Sequence, residues 1–183
     1  MSLNVKYLPV YNYCEEHHLD MVGSAAEVMK EILNYQADRD LFFRYAIALR
    51  ELPHRLLHKS KQSQKTFGLD NFTLLEKNGD QEVVFGLVGQ FWKLDYGQVV
   101  IDSAESFLAF DQLGDAKLIL YFSIEQLDDT RCRVTTETRV SCLGAKALSK
   151  FRPYWYLIRP VSGLIRHRIL KQLQKSIAQS KNI

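Results

Sequence analysis

The residues that could do chemistry are few, and their spacing completes no familiar site. Cys14, Glu16 and His18 alternate along a strand-like segment and share one face, where thiolate, carboxylate and imidazole are all metal-ligand types. His54 and His58 stand four apart, the spacing with which a helix clamps zinc. Arg55, however, follows His54 where the HExxH motif carries glutamate. Neither set has its remaining ligands, so solvated or packed side chains are the expected use, with no metal and no other cofactor. Nucleophilic chemistry lacks GxSxG, and Val161-Ser162-Gly163 sits inside a helical pattern where Ser162 caps or packs. There is also no P-loop or dinucleotide fingerprint. Glu137 and Arg139 share a strand face with other polar residues and are expected to form a surface ion pair. No catalytic residue is assigned.

A second constellation is apolar. Phe85, Leu87 and Phe91 alternate on one strand, and Leu118, Leu120, Phe122 and Ile124 on another. Thr136 and Thr138 come from a third, and Phe151, Tyr154 and Trp155 from the helix that follows. Aromatic walls with two hydroxyls describe a ligand pocket. The same residues also describe a filled core whose threonines bond to backbone. On pattern alone both readings stand, and the filled core is the simpler.

The elements that must position these residues follow from period and caps. Residues 10–22 read as a first strand. Ser24-Ala25-Ala26-Glu27 is a capping box, opening a helix with Val28, Ile32 and Tyr35 on one face. Asp38 or Asp40 caps a second helix carrying Leu41, Tyr45, Ala48 and Leu52, ended near Pro53, and residues 59–66 form a polar loop. Asn78-Gly79 joins two strands, 72–77 and 80–92, as a hairpin, with Gly86 and Gly89 marking a bulge or bend. Residues 93–115 match neither period for long; Ser103 can cap a short helical turn through Phe107, and the segment reads equally as strand, helix or a lid over the pocket. Residues 116–127 form a strand. Residues 131–142 form the clearest one, with Arg131, Arg133, Thr135, Glu137, Arg139 and Ser141 on its polar face.

The remainder is helical. Leu148, Phe151, Trp155, Ile158, Ser162, Ile165, Ile169, Leu173 and Ile177 keep one phase across Pro160, which favours one long, bent helix; a break near Pro160, with Ser162 capping a second helix, is the alternative. Pro153 and Pro160 lie opposite this seam, freeing the carbonyls of Ser149 and Tyr156 to face water. Arg152, Arg159 and Arg166 recur every seven residues on its flank, where stems cover apolar surface and heads reach solvent.

The 183 residues fit one domain, 1–183, of α+β class. Net charge is +3, but residues 1–137 hold all 21 acids and 14 basic residues, whereas 138–183 hold ten basic residues and no acid. The basic helix raises a nucleic-acid or membrane role; because its apolar seam must be buried, nucleic acid is not the expected partner, and transient membrane contact is the better of the two. The longest charge-free apolar run, Val83–Trp92, falls short of the ~18 residues of a membrane span. Glu15, Glu16, His17, His18 and Asp20 stand where a signal peptide would be apolar, and three cysteines without CxxC suit a reducing, cytoplasmic setting.

The order strand, two helices, antiparallel strands and long helix resembles the START-related lipid-transfer and polyketide-cyclase superfamily, the helix-grip fold. The likeness runs from about Leu19 to the end. It is carried by Phe85-Gly86-Leu87-Val88-Gly89-Gln90-Phe91-Trp92, by Glu137-Thr138-Arg139-Val140, and by Phe151-Arg152-Pro153-Tyr154-Trp155 through Ile158 to Arg166. Uncharacterised bacterial members are the most similar. The resemblance implies a curved antiparallel sheet wrapped around the C-terminal helix, with a cavity between them for a lipid, quinone, sterol-like or polyketide-like molecule. It favours the pocket reading for Phe85, Leu87, Phe91, Leu120, Phe122, Thr136, Thr138, Phe151, Tyr154 and Trp155. A binding protein is the expectation; the alternatives are a cyclase or dehydratase, or a module using the basic helix.

Overall fold

A computed structural model describes residues 1–34, 71–93 and 97–180. The expected second helix, the polar loop and the pair His54 and His58 lie outside the described residues, as does Tyr35. The protein is α+β, with one six-stranded antiparallel sheet and, among the described residues, four helices. The strands are β1 (Tyr13–Val22), β2 (Thr73–Asn78), β3 (Glu82–Gly89), β4 (Gln98–Val99), β5 (Ala116–Gln126) and β6 (Arg131–Cys142). The helices are α1 (Leu3–Tyr7), α2 (Ala25–Leu33), α3 (Ala104–Ala109) and α4 (Ala145–Ser180). Strand order is β1-β6-β5-β3-β2, and β4 pairs with the end of β3 through Val88 and Gly89.

Local chemistry explains most boundaries. The Ser24 hydroxyl accepts from the Glu27 amide at 3.3 Å, and the Glu27 carboxylate accepts from the Ser24 amide at 2.8 Å, completing the capping box of α2. The β2–β3 turn carries Gly79 at φ +52°, a conformation costly for any residue with a Cβ. The hydroxyl of Ser103 accepts from the Ser106 amide and opens α3. Helix α4 runs unbroken through Pro153 and Pro160, both exposed. Its outer side carries Lys146, Lys150, Arg152, Arg159, Lys171 and Lys175, all exposed. No described helix is long and apolar enough to cross a membrane.

The sheet is covered on both faces. On the front, α4 packs over β1 and β6, and α2 packs against α4 and β5. One apolar cluster there joins Val28, Met29 and Ile32 to Phe122, Ile124, Val134, Leu170, Leu173 and Ile177. Another joins Leu87, Phe91, Ala116 and Val140 to Phe151 and Trp155. On the back, α1 and α3 bring Leu3, Tyr7, Leu8 and Phe107 onto Leu75, Val84, Val88, Ile119 and Tyr121. Every residue of β3 after Glu82 is therefore buried, as in a strand sandwiched between layers.

This back layer changes the reading of several segments, and it corrects the surface placement of the Glu137–Arg139 pair. The first residues, which carry no sequence signal, form a helix that seals the sheet. Residues 104–109 belong to the back, so α3 is no lid over the front. Glu137 and Arg139 pair at 2.6 Å, but with side chains only 6% and 11% exposed, because α1 roofs them. Asn4 donates to Glu137 at 2.6 Å, Cys14 donates at 3.1 Å, and Arg139 donates to the Leu8 carbonyl. The glycines of β3 serve neighbours and not the front: a Cβ on Gly86 would meet Leu75 and Phe107 at 2.7–2.8 Å. On Gly89, at φ +142°, it would run into the Gly97 carbonyl, so a large side chain there would displace β4.

Candidate functional site

Antiparallel pairing lines the front-facing residues into rows across β1, β6, β5 and β3. Tyr13, Val140, Leu118 and Leu87 make one row. Glu15, Thr138, Leu120 and Phe85 make the next, and His17, Thr136, Phe122 and Val83 the third. The first row belongs to one apolar cluster, and a further row beyond the third, Leu19, Val134 and Ile124, belongs to the other. The Glu15 and His17 rows change character along their length: polar on β1 and β6, beneath α4, and apolar on β5 and β3.

Arg166 of α4 completes the polar half. It is 8% exposed, its Nη2 donates to Thr138 Oγ1, and its Nε stands 4.0 Å from Glu15 Oε2. Burial lowers the guanidinium to about 10, with the Glu15 charge acting in the opposite direction. This overturns the expectation that Arg166, like the exposed Arg152 and Arg159, sends its head to water. Glu15 is likewise buried, its side chain 8% exposed, and its Oε1 lies 3.0 Å from His17 Nε2. Gly163 permits the approach of helix to strand, since a Cβ there would stand 3.0 Å from Glu15 Oε1. Two oxygens in this band, Glu15 Oε2 and Thr136 Oγ1, are buried without a hydrogen-bond partner.

Of the ten residues expected to contact ligand, nine are buried on the front: Phe85, Leu87, Phe91, Leu120, Phe122, Thr136, Thr138, Phe151 and Trp155. Tyr154 is half-buried at the edge of the aromatic cluster, its ring 5.5 Å from that of Phe151. Phe151 also packs against Tyr13, Trp92 and Trp155 at 5.2–6.0 Å. Sequence reasoning missed Glu15, His17 and Arg166. The alternation of β1 held a signal for the first two, since Tyr13, Leu19 and Met21 share their face. The proposed ligand trio of Cys14, Glu16 and His18 occupies the opposite face, where Cys14 turns to Glu137 while Glu16 and His18 are exposed. Burial and the bond to Glu137 push the Cys14 thiol up to about 11.

A separate open cleft of about 490 Å³ lies at the start of α4, lined by Gln90, Lys93, Leu113, Lys146 and Lys150 among others. None of the ten expected residues lines it, and its lysines are exposed. The polar-to-apolar rows are the better candidate because they bring buried, incompletely bonded groups together.

No family model matches the chain. Nor does any curated protein. Two solved structures are similar over most of their length. A conserved protein from Geobacillus kaustophilus covers 92% of this chain and 97% of its own at 11% identity, with a TM-score of 0.46. A hypothetical protein from Helicobacter pylori covers 94% and 92% at 15% identity, with a TM-score of 0.41.

Proposed function

We propose that this protein binds a small, largely hydrophobic molecule between the front of its sheet and α4, in the manner of a helix-grip domain. The observation that carries this reading is the change of character along the Glu15 and His17 rows. A glutamate oxygen and a threonine hydroxyl buried without hydrogen-bond partners are costly in a filled core, each such group by about 1–3 kcal/mol. An amphipathic ligand gives those groups a use. Its polar end would lie toward β1 and β6, and its apolar body toward Leu120 and Phe85. These two keep 9% and 8% exposure, among the highest in the buried core. Burying the apolar body would supply affinity at about 25 cal/mol per Å².

The test is titration with N-phenyl-1-naphthylamine, an uncharged probe that brightens in apolar surroundings, together with native mass spectrometry for co-purified molecules. Binding by wild type, lost in Leu120→Trp, is expected. Absence of both probe binding and a retained molecule overturns the reading. The cyclase or dehydratase alternative draws on one further observation. The His17–Glu15 pair lies in the same band and joins a base to a carboxylate at 3.0 Å.

A further inference from the structure

Glu15 Oε1 is engaged by His17, and Arg166 stands too far, at 4.0 Å, to hydrogen-bond Oε2. An ionised carboxylate only accepts hydrogen bonds, so Oε2 calls for a donor. The hydroxyl of Thr136, one row along on the neighbouring strand and 1% exposed, can donate or accept. We infer that Glu15 and Thr136 receive a hydroxyl, phenolic or alcoholic, carried by an otherwise apolar ligand. This rests on the hydrophobic-ligand reading and gives it a chemical class.

The neighbouring groups select among polar ends. A carboxylate has no proton for Glu15 Oε2 and would place a second anion beside it. An ammonium would sit near the buried guanidinium of Arg166. A hydroxyl donates to Glu15 and can accept from Thr136 without adding charge. From that point the rows lead to Leu120 and Phe85 in one direction and to Phe122 and Val83 in the other. An aromatic or aliphatic skeleton extending toward β3 from a hydroxyl at β1 and β6 matches them. A resident water is the competing occupant, since it too can donate to one oxygen and accept from the other.

The test uses displacement of N-phenyl-1-naphthylamine from the full chain at neutral pH by 2-naphthol, 2-methylnaphthalene and 2-naphthoate, whose skeletons match. A purely apolar site with its water in place favours the methyl compound. The assignment expects 2-naphthol to displace at a concentration at least about tenfold lower, equivalent to about 1.4 kcal/mol, with 2-naphthoate weakest. Thr136→Val keeps the side-chain shape and should shrink the naphthol preference severalfold. Glu15→Gln, checked for folding by circular dichroism, should shrink it further. Preference for the methyl compound or naphthoate, or a naphthol preference unchanged in both variants, overturns the assignment while leaving a hydrophobic pocket standing. Failure of wild type to bind the probe at all overturns the parent reading and the assignment with it.

Discussion

The Glu15–Arg166 pair can be tested by separating what each charge costs from what the pair returns. At 4.0 Å, two unit charges in surroundings of effective dielectric constant near 20 attract by about 4 kcal/mol. The guanidinium is nonetheless lowered from 12.5 to about 10, so keeping it charged in the fold costs on the order of 3 kcal/mol even with Glu15 present. The pair is therefore a net burden that Glu15 only partly offsets. Glu15→Gln removes the attraction and leaves a buried cation, and should destabilise the fold by about 3 kcal/mol. Adding Arg166→Met to that variant removes the cation as well. The double variant should return to within about 1 kcal/mol of wild type, or exceed it. In urea, with a slope of about 2 kcal/mol per molar, the midpoint should fall by about 1.5 M and then recover. A double variant less stable than Glu15→Gln alone would refute this reasoning, as would a Glu15→Gln loss under about 1 kcal/mol.

Other consequences are as direct. Gly89→Ala should lower the thermal midpoint by several degrees, costing about 2 kcal/mol or more, because φ +142° and the close approach of the Gly97 carbonyl leave no place for a methyl; a shift within error would show that β4 can move away freely. Phe151→Ala should cost about 3–5 kcal/mol by equilibrium unfolding, since its ring touches four other aromatics. Cys14 should label slowly with thiol reagents at pH 8 in the native protein and quickly in urea, as its thiol is held up near 11; peptide mapping that finds equal rates would count against the buried bond to Glu137. Burial raises the Glu137 carboxyl, but hydrogen bonds from Arg139, Asn4 and Cys14 outweigh it, and the net shift is downward. The stability it contributes is present above the ordinary carboxylate range and is lost as pH falls through the lower folded value. Protection of the α1 amides should fade over that acid window, and much less so in Glu137→Gln.

What could be read from sequence was local and periodic. The Asn78-Gly79 hairpin, the 131–142 strand and the Ser24 capping box each announce themselves within a dozen residues or so, and the helix through both prolines does so by a seam that keeps its phase. Helix α1 does not, because five residues show no period and its partners Ile119 and Phe107 are far along the chain. Arg166 is legible as a flank residue, identical in type and spacing to Arg152 and Arg159. Only the register that sets Glu15 beside Thr138, and the docking of α4 over both, distinguishes it. Glu137 misled for the same reason: alternation assigns it to the outer face, and only α1 shows that this face is covered.

The pairing of the first strand with the last also bears on how the molecule comes into being. Tyr13 meets Val140 and Val22 meets Arg131, so β1 waits for residues 131–140 before its ladder can close. Such long-range closure places folding among the slower topologies and leaves the edge of β1 unpaired during synthesis. Glu15 and His17 emerge early from the ribosome, whereas Thr136, Thr138 and Arg166 emerge late. The polar band is consequently assembled in the closing steps, when β6 and α4 arrive together. A hydroxylated ligand present at that moment would favour the closed form by mass action, acting as a folding partner as well as cargo.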